Sequence, residues 1–201
     1  MIEKFEQMDE EKRVRIINSA ISEFAKSGFD KGSTNVIVKE AEISKGLIFH
    51  YFGSKVKLFL YLFDYCTELI TKDLYEKVDL KNGDILERIH NITLKKVILL
   101  QKHPDIFGFV KTAYMESNLQ IKEMIMKKQQ EIYKEAQVKF LSNIDFSYFK
   151  EGLDIEKSMT VIYSTLESVS MKEMDKGDFN VNEVVKKVED YIDFFKKLFY
   201  K

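Results

Sequence analysis

Apolar residues recur along this chain at intervals of three and four, the spacing that gives a helix one buried stripe. Residues 10–26 carry Val14, Ile17, Ala20, Ile21 and Phe24 in that register. Ser27 and Gly28 predict the end of the helix, with Gly28 supplying a left-handed residue. After a loop over 29–32, Ser33 is a candidate N-cap for a second helix over 34–41, with Ile37, Val38 and Ala41 inward. Glu42, Ile43 and Ser44 make a turn, and Ser44 can cap a third helix over 45–52. Gly53 and Ser54 break the pattern. A long fourth helix, from 55 to about 78, then runs on Leu58, Leu62, Tyr65, Leu69 and Leu74.

Residues 81–83 read as a turn, with Asp84 as N-cap of a helix over 85–102 on Ile85, Ile89, Ile92, Val97 and Leu100. Pro104 ends it and suits the first turn of the next helix, 105–116. A longer one follows over 119–141 on Ile121, Ile125, Ile132, Ala136 and Phe140. Residues 143–152 form an irregular connection. Asp154 opens a helix through Met159, Ile162, Leu166 and Val169. Residues 175–178 turn the chain into a last helix, 181–200, on Val184, Val188, Tyr191, Phe195 and Leu198. One Pro, eight Gly and no strand-like alternation predict an all-α protein of about nine helices. The expected division is an N-terminal helix-turn-helix domain, 1–54, and a C-terminal helical bundle, 55–201.

Length allows one sizeable core or two small ones at 201 residues. The net charge of -1 conceals a local surplus. Between Lys12 and Lys57 nine Lys/Arg face four Asp/Glu, whereas residues 1–11 hold five acids and one Lys. Such a surplus suits a polyanion. The single Cys, Cys66, forms no internal disulfide and agrees with a reducing cytoplasm. No apolar run approaches a membrane span, and residues 1–13 do not resemble a signal peptide.

The stretch 41–55, AEISKGLIFHYFGSK, carries the chemistry. A helix-turn-helix needs apolar residues that fix its two helices, and exposed groups that meet phosphates and base edges. Ile37, Ala41, Ile43 and Ile48 fit the first need. Lys45, at a helix start that also attracts phosphate, fits the second. Gly46 permits close backbone approach. Leu47 can meet a thymine methyl, and His50 and Tyr51 can donate to phosphate or a base. Phe49 lies on the same outward side, Lys55 is a candidate backbone clamp, and Phe52 reads as core.

Gly28, Phe29, Ser33, Thr34, Ile37, Ala41, the run from Ile43 to Gly46, the run from Ile48 to Phe52, Ser54, Lys55 and Leu58 together resemble the DNA-binding domain of bacterial TetR-family transcriptional regulators. The match covers the first fifty-odd residues. The resemblance implies a cytoplasmic homodimer that represses by binding a palindromic operator in double-stranded DNA, and an unknown small-molecule effector that releases it. It adds Ser33 and Thr34 to the DNA-binding set. Three residues depart from the family pattern. Glu42 stands where Gly is usual, Val38 where Ala is usual, and Phe49 where Tyr is usual. A left-handed Glu42 would cost about 1–2 kcal/mol.

Beyond that segment the sequence offers candidates only. Phe63, Phe107, Phe109, Tyr114, Tyr133 and Tyr163 could line a ligand pocket or form ordinary bundle core. Ser164 and Ser168 are small and one turn apart, and with Phe195 and Phe199 they are candidates for the dimer interface. Cys66 reads as a small buried hydrophobe. His90 and His103 lack neighbours at ligand spacing, so no metal or other cofactor is expected. An enzyme on a helical bundle is the rival reading, but no phosphate loop, G-x-S-x-G or H-E-x-x-H occurs. A helix-turn-helix activator without a ligand, or one used for protein contacts, is the other.

Overall fold

The computed structural model describes residues 2–75, 79–174 and 180–201. Within its helices the side chains of Tyr75, Tyr133, Glu135, Ala136, Gln137, Lys139, Ser170, Met171, Glu173 and Met174 fall outside the described set. So do the expected helix end near Val78 and the turn at 175–178. The described residues form ten α-helices: α1 (Ile2–Glu6), α2 (Glu10–Lys31), α3 (Thr34–Glu40), α4 (Lys45–Phe52), α5 (Lys55–Tyr75), α6 (Ile85–Lys102), α7 (Pro104–Tyr114), α8 (Leu119–Phe140), α9 (Ile155–Met174) and α10 (Val181–Phe199). A single 3-10 turn, Phe146–Tyr148, interrupts the connection before α9. The protein is all-α, as the periodicity predicts.

Packing divides the described residues into two compact units, Met1–Lys72 with His103–Lys134, and Asp73–Lys102 with Glu135–Lys201. In the first, α2 is the spine. Its inward face is Ile16, Ile17, Ala20, Ile21 and Phe24, while Val14, expected on that stripe, is 42 % exposed. The register therefore starts two residues later than the sequence suggested. Gly28 breaks the helix with φ 68°, a conformation open to glycine, and one further turn follows. Gly32 ends that turn where a Cβ would lie 2.5 Å from the Phe24 ring, so the backbone crosses the ring at a distance only glycine permits. Phe24, Phe59 and Phe109 meet ring against ring at the centre, joining α2, α5 and α7.

Within the acidic stretch 1–11, residues Ile2–Glu6 form α1. Its Phe5 is fully buried. A five-residue helix is too short to show a period, and one aromatic between charges gave no stripe.

The second unit packs Ile85, Leu86 and Ile89 of α6 against Ile162 and Leu166 of α9 and Val184, Val188, Ile192, Phe195 and Phe199 of α10. Arg88 lies on the inward side of α6, 1 % exposed. Its guanidinium donates to the carbonyls of Phe140 and Ser142 at 2.7 Å, and to those of Leu80 and Asn82 at 2.5 Å. One buried cation thus caps the C-terminal carbonyls of α8 and ties down the turn before α6. At the chain end, Tyr200 donates to Asp84 Oδ1 at 2.6 Å, and Lys201 N–H donates to the Tyr148 carbonyl at 3.0 Å.

Candidate nucleic-acid interface

α3 and α4 are held at their joint by Ile37, Ala41, Ile48 and Phe52, all buried, with Val38 and Ile43 partly buried against them. The turn between them closes through the backbone. Ala41 N–H donates to the Ile37 carbonyl at 2.9 Å, and Ile43 N–H to the Val38 carbonyl at 3.0 Å. Glu42, between them, has φ 54°. It occupies the left-handed region that the sequence reading singled out at this residue.

On the outer side of α4, Lys45, Gly46, Phe49 and His50 are exposed, while Leu47 and Tyr51 are half-buried. A Cβ on Gly46 would meet nothing within 4 Å, so packing does not require the glycine, and the surface there is open to close approach. Tyr51 is less free than expected. Its ring stands 5.1 Å from His50 on one side and 5.6 Å from Phe5 on the other. Gly53, φ 72°, ends α4 and donates to the Phe49 carbonyl at 2.8 Å.

Ser33 and Thr34, at the start of α3, are half-buried. Ser33 sits at the N-cap position without a side-chain cap bond, and its N–H donates instead to Glu23 Oε1 at 2.9 Å. Ser44 likewise makes no side-chain cap. Ser54 does cap, accepting from Lys57 N–H at 3.2 Å. Lys55 Nζ donates to the Asp30 carbonyl at 3.1 Å and lies 4.8 Å from the centre of the Phe29 ring. That cation secures the end of α2 while remaining beside the helix-turn-helix.

Residues 16–62 match the family model described as "Bacterial regulatory proteins, tetR family". That segment is a TetR-family DNA-binding domain. It is the helix-turn-helix domain of transcriptional regulators. The fatty acid metabolism regulator protein of Bacillus subtilis is 23 % identical over 160 residues, covering 78 % of this chain and 80 % of that protein. A TetR-family transcriptional regulator of Chloroflexus aurantiacus superposes with a TM-score of 0.68 at 21 % identity, over 99 % of this chain and 98 % of that one. The fatty acid degradation regulator of Bacillus halodurans does so with a TM-score of 0.66 at 19 % identity, over 89 % and 96 %. These likenesses establish the TetR-like fold along nearly the whole chain.

The candidates outside the family segment fare differently. Phe63 and Phe109 are fully buried core rings and Phe107 is buried, whereas Tyr114 is 40 % exposed, its ring 5.6 Å from Phe63. Those four belong to the first unit and Tyr163, also 40 % exposed, to the second. The side chain of Tyr133 lies outside the described residues. A cleft of about 340 Å³ opens elsewhere in the first unit, lined by residues including Lys26, Gly28, Thr112, Met115 and Glu116 and by none of the six aromatics.

Ser164 and Ser168 are exposed on α9. Phe195 and Phe199 are not available to a partner, being 2 % and 9 % exposed within their own unit. The inner face of α10 runs through Ile192, Phe195 and Phe199, and its outer apolar residues are Tyr191, Phe194 and Leu198. The stripe was read one position out of phase at Tyr191 and Leu198.

Among the described residues no group of three His, Cys, Asp or Glu is placed to hold a metal, and no helix is long and apolar enough to cross a membrane.

Proposed function

We propose that this protein is a repressor that binds a palindromic operator as a homodimer and is released by a small molecule. The outward set on α4 carries this reading. Lys45, Phe49 and His50 are exposed while their neighbours Ile48 and Phe52 are buried. In the complex Lys45 meets phosphate at the helix entry, Gly46 admits the backbone, and Leu47, Phe49, His50 and Tyr51 face the groove. Ser33, Thr34 and Lys55 contact the flanking backbone. Residues 1–54 serve as the DNA-binding domain and 55–201 as the ligand-binding and dimerisation domain. An operator-binding regulator works in the cytoplasm, beside the DNA.

Two copies would set their recognition helices about 34–36 Å apart, in successive major grooves. An effector that favours another spacing lowers operator affinity by population shift. Two relatives are named for fatty-acid metabolism and degradation, which makes genes of that pathway the first operators to test.

The test is a duplex selected by the protein from a randomised pool. Lys45→Ala is expected to weaken binding and to reduce the salt slope by about 1. Tyr51→Ala is expected to weaken the selected duplex more than random DNA. If both variants bind with the affinity and salt slope of the parent, α4 is not the reading helix.

A further inference from the structure

We infer that Phe5 is a positioning residue for DNA binding, a side chain through which α1 holds the recognition helix in register. The inference rests on the DNA-binding reading of α4. The family segment begins at residue 16, and α1 lies in front of it. Its five residues are too few to be stable alone. What keeps it in place is the Phe5 ring, which is fully buried. That ring stands 4.8 Å from Phe52 and 5.6 Å from Tyr51, both on α4, and 5.6 Å from Tyr61 on α5. All three pairs meet edge to face, the arrangement that aromatic quadrupoles favour.

These contacts lead to the DNA side of α4. Phe52 is its buried anchor, and Tyr51 touches exposed His50, so the rings run Phe5, Tyr51, His50 from core to surface. α4 has only eight residues, and a helix of that length keeps its orientation by what it packs on. It packs on the joint with α3, on Tyr61 of α5, whose ring stands 5.2 Å from Phe52, and on Phe5. The base of α1 is fixed in turn. Arg13 donates to the Glu6 carbonyl, and Asp9 caps α2 by accepting from Lys12 N–H at 3.0 Å.

Charge argues that this placement serves more than cover. Residues 1–11 carry five acids and one Lys, and such a segment beside a DNA-binding helix repels phosphate. Non-specific binding, which is phosphate attraction, suffers from it. Specific binding gains a recognition helix that presents His50 and Tyr51 in one orientation. Both effects act on the same quantity, the ratio of specific to non-specific affinity.

The experiment compares the parent with Phe5→Ala and Phe5→Leu, using the full chain at a temperature where circular dichroism shows each fully folded. The probes are the duplex the parent selects from a randomised pool and a random-sequence duplex of equal length. Phe5→Ala is expected to lose about fivefold or more on the selected duplex while staying within about twofold on the random one. Phe5→Leu, which keeps apolar bulk, is expected to recover most of that loss. A folded Phe5→Ala with the parent's affinity ratio overturns the inference, because a ring that only stabilised the fold would leave the ratio untouched. Should Phe5→Ala not fold, Phe5→Leu carries the test, with about a twofold loss of ratio expected and an unchanged ratio overturning it. A parent that selects no duplex removes the DNA reading itself. A parent that selects one, beside variants with the same ratio, removes only the role of Phe5.

Discussion

The backbone N–H of Phe29, one residue past the break in α2, donates to Glu116 Oε2 at 2.8 Å, joining positions 87 apart in sequence. The other carboxylate oxygen accepts from Ser117 N–H at 2.9 Å and Asn118 N–H at 3.1 Å, so Glu116 also holds the turn between α7 and α8. The side chain is 8 % exposed. A carboxylate in such a place is kept there by its donors.

Glu116→Ala leaves those three donors without their acceptor. A loss of about 2–3 kcal/mol is expected from the cost of stranded, partly buried N–H groups. At this chain length that lowers the thermal midpoint by about 4–10 °C. Glu116→Gln keeps one carbonyl oxygen and is expected to lose less. Thermal unfolding followed by circular dichroism measures both. A Glu116→Ala midpoint within about a degree of the parent would show that water replaces the carboxylate at no cost.

Much of this was legible in the sequence, and the exceptions have physical causes. The register of α4 was readable because a surface helix with one buried side leaves a periodic trace. Ile48 and Phe52 turned out inward, and Lys45, Phe49 and His50 outward. Phe5 left no trace, since one apolar residue in a short acidic segment has no period. Arg88 sits three residues after Ile85 on the α6 stripe, and a charge at an apolar position was the available signal. What buries it is a set of carbonyls from residues 80, 82, 140 and 142, which no local pattern announces. On α10, aromatics occupy both faces, so composition did not say which phase was buried.

Glu42 offers a direct test of the turn. Its φ of 54° costs a residue with a Cβ about 1–2 kcal/mol. Glycine removes that strain but loses more backbone entropy on folding, so Glu42→Gly is expected to gain a net of up to about 1 kcal/mol. It also removes a negative charge beside α4 and should tighten DNA binding. Glu42→Gln separates the two effects, with unchanged stability and tighter binding expected. Urea midpoints and duplex titrations read them. If Glu42→Gly is the less stable protein, the side chain makes a contact that outweighs the strain.

Stability is expected to fall on the alkaline side. Burial pushes the Cys66 thiol from 9.0 up to about 12. Burial also raises Tyr61, with Glu6 adding to it, and raises Tyr200, whose hydroxyl donates to Asp84. Each group keeps its proton in the folded chain where the unfolded chain would release it. The unfolded state then binds fewer protons, so stability declines with rising pH. The contribution of Cys66 is complete below pH 9.0 and is lost as pH approaches about 12. Urea midpoints that stay flat to about pH 9 and then decline are expected, with a shallower decline in Cys66→Ala. The same burial makes Cys66 slow to react with a thiol reagent at pH 8 until the chain is unfolded.

The homodimer proposal turns on the two faces of α10. Phe194 is 53 % exposed and Phe195 2 % exposed, although they are neighbours in sequence. Phe195 lies against the core of its own unit, with its ring 5.9 Å from Phe199. Tyr191 and Leu198 share the outer side of α10 with Phe194, and these three form the apolar face we propose a second copy covers. Phe194→Asp puts a charge at the centre of such an interface. It is expected to run as a monomer by sedimentation while keeping its helical content. Phe195→Asp buries the charge inside one chain and is expected to lose helical signal and cooperative unfolding instead. A folded Phe194→Asp that sediments as the parent dimer does would move the interface off this face of α10.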